Sequence, residues 1–491
     1  MSLKLCILSS EILPYAKTGG LADVVGALVR EFAQRGHEVR AFMPLYASVR
    51  RAHPGLDPVP GLERVGLTIG DRRYDFAVRS AHLPGSAALV YFIDCPELYD
   101  RPTLYTRDPD EHRRFLLFTR AVLETCRRLG FAPDLFHCND WHTAWLPLYL
   151  RTHYASQPQF AHSRSVLTIH NIGYQGIISS AFLADLDLGA AAAQLDAGDL
   201  ARGHVNSLKA GIQFADAVTT VSPTYAREIC DAPAGMGLEA ALRARRRPVI
   251  GILNGVDYRD WDPVHDPHLS VHFSAQDLTG KLVNKQQLLG ACALRIAPER
   301  PLISMVTRLA SQKGIDLLID VLPRLLAARE AGLVVLGSGE ERYAEFFASL
   351  ARRFPGRAAF QSGHDEALAH RIEAGSDIFL MPSQYEPCGL NQMYSLRYGT
   401  IPIVRQTGGL ADSVQHFDPA TGTGTGCVFR DYDAPAVEWA LNTTLDWYED
   451  RVGWRRLMGN AMAQDFSWGR QIVQYEAVFN ELLQGAASSS A

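Results

Sequence analysis

The stretch Leu3–Pro44, LKLCILSSEILPYAKTGGLADVVGALVREFAQRGHEVRAFMP, decides the fold. LKLCILSS is an apolar run of strand length. Behind it Leu21, Val24, Val25, Leu28 and Phe32 recur on one helical face. Gly36 supplies the helix stop, and HEVRAFMP is a second strand. Strand, helix and strand in this order make a βαβ unit, which implies parallel strands and a right-handed crossover.

The same rhythm runs outward from that unit. ALVYFID, DLFHC, SVLTIH, DAVTTVS and VIGILNG are further strands, and the irregular region between AFMP and ALVYF has room for a small hairpin. From about Pro301 the pattern restarts with LISMVTRL, the helix GIDLLIDVLPRLLAARE (with Pro323 inside it), GLVVLGSG, RAAFQS, DIFLMP and TIPIVR. Such unbroken apolar runs mark parallel strands buried on both faces. The predicted class is α/β, with two Rossmann-like domains facing across a deep cleft. Residues 1–253 form the first domain and 271–465 the second. The Asp- and Pro-rich stretch NGVDYRDWDPVHDPHLS, residues 254–270, reads as the linker, and 466–484 as a terminal helix.

Composition narrows the function. A chain of 491 residues exceeds a single core. Its net charge of -5 argues against nucleic acid as a partner, and the run RARRR, Arg243–Arg247, reads as a solvated helix end. The 8 cysteines include no CxxC pair, so neither structural zinc nor a disulfide framework is expected, and a reducing, cytoplasmic setting fits. The first apolar run is too short for a signal peptide and passes straight into Glu11 and Lys17. No run is long enough to span a membrane. The tail GAASSSA is expected to fray.

Ligands of open α/β sheets bind beyond the carboxyl ends of the strands. The chemically suggestive residues lie there: Lys17-Thr18-Gly19-Gly20, Asn139-Asp140-Trp141-His142, His170-Asn171, Arg308 with Lys313, Gly337-Ser338-Gly339, Glu386, and Thr407-Gly408-Gly409. KTGGLAD opens a helix, where amides and a lysine can hold an anion. QTGGLADSV at Gln406–Val414 echoes it. Neither is GxGxxG nor a Walker A loop, so nicotinamide and ATP-hydrolysis readings lose their usual support. Arg308 and Lys313 suit a diphosphate clamp. Asp140 and His170 suit sugar hydroxyls better than a metal, because His137, Cys138, Asp140 and His142 lack a zinc spacing. Cys388 has no neighbouring base and reads as an inert thiol, and no GxSxG elbow is present. Singly, each feature is also what a glycine turn, an exposed loop charge or a satisfied strand-end network looks like. Seven together are not.

In their order, KTGGLADVVGAL, HCNDWHTAWLP, TIHNIGYQG, VTTVSPTYAREI, GILNGVD, TRLASQKGIDLL, EPCGLNQMYSLRYGTIPIVRQTGGLADSV and FSW resemble the bacterial glycogen synthases and plant starch synthases, retaining glycosyltransferases of two Rossmann-like domains (GT-B type). The resemblance covers residues 4 to about 476. It implies transfer of glucose from ADP-glucose to the nonreducing end of glycogen or another α-1,4-glucan, with retention and with neither metal nor cofactor. By motif, the first domain faces the acceptor and the second the nucleotide sugar. Lys17, Gly19 and Gly20 would meet the donor's sugar and phosphates. Asp140 would lie near the acceptor and the reacting glucose; His170 and Asn171 would hold that glucose. Arg308 and Lys313 would grip the diphosphate, with Gly339 beside them. Glu386 would bind glucose hydroxyls, and the helix from about Gly389 would offer amides to phosphate. Cys388, Gly389, Leu390, Thr407, Gly408 and Gly409 would line the donor pocket, and the last helix would cross back to the first domain.

The chain departs from the family pattern at three places. Tyr394 stands where many related retaining enzymes carry a second Glu, a loss common in the synthase branch. His364 replaces a more frequent Tyr near the nucleotide base, and Gln384 a frequent Arg. The resemblance leaves room for another nucleotide sugar or a short maltooligosaccharide acceptor. A noncatalytic glucan-binding protein would have lost Lys17, Arg308, Lys313 or Glu386, and all four are present.

Overall fold

The computed structural model describes residues 2–487. The chain divides into two compact units. One takes in the chain up to Val221, then Ala226–Ile252, and the segment from Trp468. The other takes Ser222–Tyr225 and Leu253–Ser467.

In the first unit the strands are β1 (Lys4–Leu8), β2 (Glu38–Pro44), β3 (Asp57–Pro58), β4 (Val65–Ile69), β5 (Arg72–His82), β6 (Leu89–Asp94), β7 (Leu135–Asn139), β8 (Arg164–Ile169), β9 (Ile177–Ser179), β10 (His204–Asn206), β11 (Ala217–Thr220) and β12 (Ile250–Gly251). The main sheet runs β12-β11-β8-β7-β1-β2-β6-β5-β3, with β4 on β5. From β12 to β6 every pairing is parallel. The hairpin β4–β5 fills the irregular region and adds antiparallel pairs at one edge. From β1 the chain goes to β2 on one side and later returns to β7 on the other. The switch point therefore lies between β1 and β7, where open sheets place their ligands.

The opening βαβ unit forms for the reason its pattern gives. Val24, Val25, Leu28 and Phe32 of the helix Gly20–Gln34 are buried against the sheet. The helix Trp468–Ala487 packs on the same helix, with Ile472, Tyr475, Phe479 and Leu482 as its buried stripe. The Phe32 and Phe479 rings stack at 5.4 Å, and Glu476 accepts from Arg35 Nε at 2.7 Å. Val473 faces solvent instead. Of the tail expected to fray, Ser488–Ala491 lie outside the described residues.

In the second unit β13 (Leu302–Leu309), β14 (Gly332–Gly339), β15 (Ala358–Ser362), β16 (Ile378–Met381), β17 (Ile401–Arg405) and β18 (Cys427–Phe429) form an all-parallel sheet in the order β15-β14-β13-β16-β17-β18. The switch point here lies between β13 and β16. One part of the core joins Leu302, Val334 and Leu336 of the sheet to Leu288, Leu289, Leu368 and Ile372 of flanking helices. The helix Ile315–Ala328 runs through Pro323 without ending.

Two expectations need correction. The stretch Asn254–Ser270 is not a loose link but part of the second unit. Its Asp266 is fully buried and accepts from His370 Nδ1 at 2.8 Å and from the Tyr398 hydroxyl at 2.5 Å. Trp261 lies between His370 and Tyr394, with ring centroids at 3.6 and 3.9 Å. Asp and Pro make the local path irregular, but the side chains are core. In the basic run, Arg245 is not solvated. Its guanidinium donates to the carbonyls of Ile212 and Ala215 at the end of the helix Ser207–Phe214, where the free carbonyls favour a cation. Burial lowers its pKa to about 10.

Candidate active site

At the first switch point Asp140 directly follows β7. Its φ of +57° is left-handed, a conformation that costs a non-glycine residue energy and is held by its surroundings. Its own N–H donates to Thr168 O of β8 at 2.9 Å. The buried carboxylate accepts the backbone N–H of His170 at 2.7 Å and of Asn171 at 3.4 Å. One side chain thus locks the ends of β7 and β8 together. Burial pushes the Asp140 pKa up to about 7; the two amides lower it and the charge of Glu11 raises it.

The His170 ring is fixed as well. The Asn139 amide nitrogen donates to Leu8 O at 2.9 Å, so its oxygen faces His170 Nε2 at 2.9 Å. That assigns the proton to Nε2. Burial lowers the His170 pKa to about 3, so its imidazole is neutral and not a phosphate-binding cation. The Asn171 side chain accepts Gly173 N–H at 2.9 Å. His137 pairs with Thr168 Oγ1 at 2.7 Å, inside the sheet.

Sequence reasoning missed a central residue of this switch point. Glu11 follows β1 and is buried. Its carboxylate accepts from the Thr18 and Gly19 amides, from Thr18 Oγ1 at 2.6 Å and from the Tyr105 hydroxyl at 2.6 Å. The nest expected to hold an outside anion is thus already filled, at two of its amides, by a carboxylate of the chain. A buried charge needs donors, and the KTGG turn supplies them. Lys17 pairs with Asp23 at 3.0 Å. Tyr105 also meets Ser10 Oγ at 2.8 Å and stacks on His142 at 4.9 Å. The only signal in the sequence was a glutamate set in the apolar run LSSEILPY.

At the second switch point Lys313 comes after β13 and Glu386 after β16. Lys313 Nζ lies 2.6 Å from Glu386 Oε2, and Ser383 Oγ donates to the same oxygen at 2.9 Å. Glu386 is only 6% exposed. Two glycines make this approach possible. At Gly314 (φ +71°) a Cβ would lie 2.0 Å from Pro382 O, and at Gly408 (φ +45°) 1.8 Å from Glu386 O. Gly409 N–H then donates to Glu386 O at 3.1 Å and to Pro387 O at 3.2 Å. The second glycine pair thus makes a backbone-on-backbone contact that fixes Glu386. Gln384 N–H donates to Gln312 O at 2.8 Å, and Arg405 Nε to Ser383 O at 2.9 Å, so the arginine holding this loop comes from β17.

Cys388 is buried, and its pKa is pushed up to about 12. Gly389 has φ +74°, so the helix starts two residues later than expected, as Asn391–Arg397, with Leu390 before it. Gln392 Nε2 donates to Cys388 O and Gly389 O, each at 3.0 Å. Thr407 is buried beside them. Arg308 is exposed near the end of β13, and Gly339 pairs with Leu309 at the end of β14. His364 follows the edge strand β15, two strands from the switch point. Its ring is exposed and lies 3.3 Å from Glu366. Lys313, Glu386, Cys388 and Thr407–Gly409 are brought together; His364 is not among them.

Each unit offers a held carboxylate at the ligand-bearing end of its own sheet, and in the second unit a cation is paired with it. That suits a polyhydroxyl ligand carrying negative charge. The family described as starch synthase catalytic domain matches residues 4–244, and glycosyl transferases group 1 matches residues 293–456. The chain is 45% identical over 488 residues to a glycogen synthase of Anaeromyxobacter dehalogenans (strain 2CP-1), covering 98% of this chain and 100% of that one. The chain belongs to the glycogen synthase family. Glycogen synthase 1 of Geobacter sulfurreducens is 41% identical over 490 residues, 98% of this chain and 97% of that one. Among solved structures, the catalytic domain of starch synthase IV from Arabidopsis thaliana, bound to ADP and acarbose, has a TM-score of 0.89 at 34% identity, covering 99% of this chain and 100% of that one. The family fold is GT-B, and the protein is a glycosyltransferase.

Proposed function

We propose that this member of the family transfers glucose from ADP-glucose to the nonreducing 4-hydroxyl of glycogen or a related α-1,4-glucan, retaining the anomeric configuration, in the cytoplasm. The observation that carries the reading is the Lys313–Glu386 pair at the second switch point: a cation for a diphosphate oxygen beside a carboxylate for sugar hydroxyls. Identity to glycogen synthases along nearly the whole chain supports the acceptor, and the ADP in the plant relative supports the donor.

In this reading the second unit takes the nucleotide sugar. Arg308 and Lys313 bind the diphosphate and stabilise leaving ADP, Glu386 orients the glucose, and Gly339, Cys388–Leu390 and Thr407–Gly409 shape the pocket. The first unit presents Lys17, Gly19 and Gly20 on the turn that Glu11 holds, with Asp140, His170 and Asn171 at the acceptor and the reacting glucose. Because Asp140 and Glu386 are committed to backbone amides and to Lys313, attack on the donor's own leaving face is the mechanism that fits. The C1–O bond to phosphate breaks, the C1–O4 bond forms on the same face, and the acceptor's proton passes to a phosphate oxygen.

Proton NMR of the first product formed from ADP-glucose and a maltooligosaccharide tests this, together with mass spectrometry of the quenched enzyme. The expected product is an α-1,4 extension with no glucosyl adduct on the protein. A β-linked product or a covalent glucosyl enzyme would overturn the mechanism.

A further inference from the structure

The second unit carries an aromatic surface that the reaction does not use. Trp439 is 50% exposed on the helix Ala434–Glu449. His416 lies beside it, its ring 18° from parallel at 5.8 Å. Trp447 meets His416 edge-on at 5.3 Å and is itself backed by Phe417, a buried ring, at 5.3 Å. The rings thus run from the core to the surface. Trp439, Thr443 and Trp447 recur every four residues, so they share one helix face over about 12 Å.

This surface is preorganised. Val428 N–H donates to His416 Nδ1 at 3.1 Å, which fixes the ring and leaves Nε2–H as its donor. His416 also bridges Gly426, the residue before β18. The platform therefore stands at the edge strand of the sheet, with β17 between β18 and the strand β16 that leads to Glu386. A half-exposed indole stacked beside a hydrogen-bonded imidazole is not an ordinary exposed side chain. It offers a flat apolar plate and a hydrogen-bond donor. The chemistry that matches both is a neutral pyranose, whose axial C–H face is apolar and whose rim is hydroxyl. A phosphate ester would find no cation among the rings that form the plate.

We propose that His416, Trp439 and Trp447 form a second glucan-binding site, at the edge of the same unit's sheet, which takes internal glucose residues of a long α-1,4-glucan. The proposal rests on the glucan-acceptor reading. A polymer held at this plate raises the local concentration of its chain ends without any change at the site of reaction. A short oligosaccharide gains nothing from it.

Native electrophoresis of the full chain through gels containing glycogen tests the proposal, with W439A and W439F beside the wild type, circular dichroism to confirm the fold, and light scattering to give the mass. Loss of one stacking contact at a multivalent surface should weaken glycogen retardation in W439A by about 5-fold or more. W439F should stay near the wild type, and turnover with maltotetraose should be unchanged. Unchanged retardation of folded W439A overturns the proposal. So does a halved mass in W439A, which would make the plate a contact between copies of the chain. Retardation needs no turnover, so a wild type that is retarded through Trp439 but inactive with ADP-glucose would refute the reaction and leave this site standing.

Discussion

Glu11→Gln is the most informative substitution in the first unit. The carboxylate of Glu11 accepts four donors: the Thr18 and Gly19 amides, the Thr18 hydroxyl and the Tyr105 hydroxyl. A glutamine presents one acceptor oxygen to that ring of donors and turns an NH2 toward the rest. The oxygen can keep the two amides, but the two hydroxyls must then accept from the NH2 instead of donating, and all four bonds lose their charge assistance, at about 1 kcal/mol each. The expected loss is about 2–5 kcal/mol, which should lower the melting transition of the first unit by roughly 5–15 °C. Differential scanning calorimetry reads it directly. Near-UV circular dichroism should change as well, because Tyr105 stacks on His142. A melting transition within a degree of wild type would refute the reasoning: the KTGG turn would then hold its shape without the charge. Glu11→Ala must be at least as severe.

Other perturbations follow from single contacts. Gly408→Ala places a Cβ against Glu386 O, and adding left-handed strain should cost about 2–4 kcal/mol; if glucosyl transfer by the folded variant survives at wild-type rate, Glu386 does not depend on this loop. Asp140 holds its proton up to about pH 7 in the native state, against about 3.9 unfolded. Stability is therefore full below about pH 4 and falls as the pH rises to 7, so Asp140→Asn should gain about 2–4 kcal/mol over wild type at pH 8 and nothing at pH 4, as chemical denaturation at both pH values would show. His370 behaves in the opposite sense. Burial alone would lower its pKa, but hydrogen bonds to Asp266 and Glu366 outweigh it and raise the value to about 9. Its contribution is full below about pH 6.5 and lost as the pH rises through 9, and His370→Gln should remove that alkaline loss from the melting curve of the second unit.

Much of the fold was legible because period and chain order are local. The βαβ opening, the restart near Pro301 and the strand-end loops all lie where their patterns put them. What was not legible depends on partners far along the chain. Glu11 meets Tyr105 across 94 positions, and a lone glutamate in an apolar run does not announce its donors. Asp266 finds His370 and Tyr398 more than a hundred positions away, so a segment rich in Asp and Pro read as a linker is in fact core. The glycine pairs were visible as demands for close approach. The sequence did not say that Gly408 and Gly409 approach the backbone of residues 386–388, or that Gly19 approaches the carboxylate of Glu11. β18 was missed because three residues between Gly/Thr-rich turns carry no period.

Release of nucleoside diphosphate decides whether the protein is the glucosyltransferase proposed. It would be measured for ADP-glucose and UDP-glucose at equal protein, with and without glycogen, for the wild type and Glu386→Gln. The expected result is glycogen-dependent ADP release, preference for ADP-glucose, and a loss of at least about 100-fold in the variant, the scale expected when a group orienting the reacting sugar is removed. Preference for UDP-glucose would contradict the donor assignment. Undiminished turnover in Glu386→Gln would contradict the site.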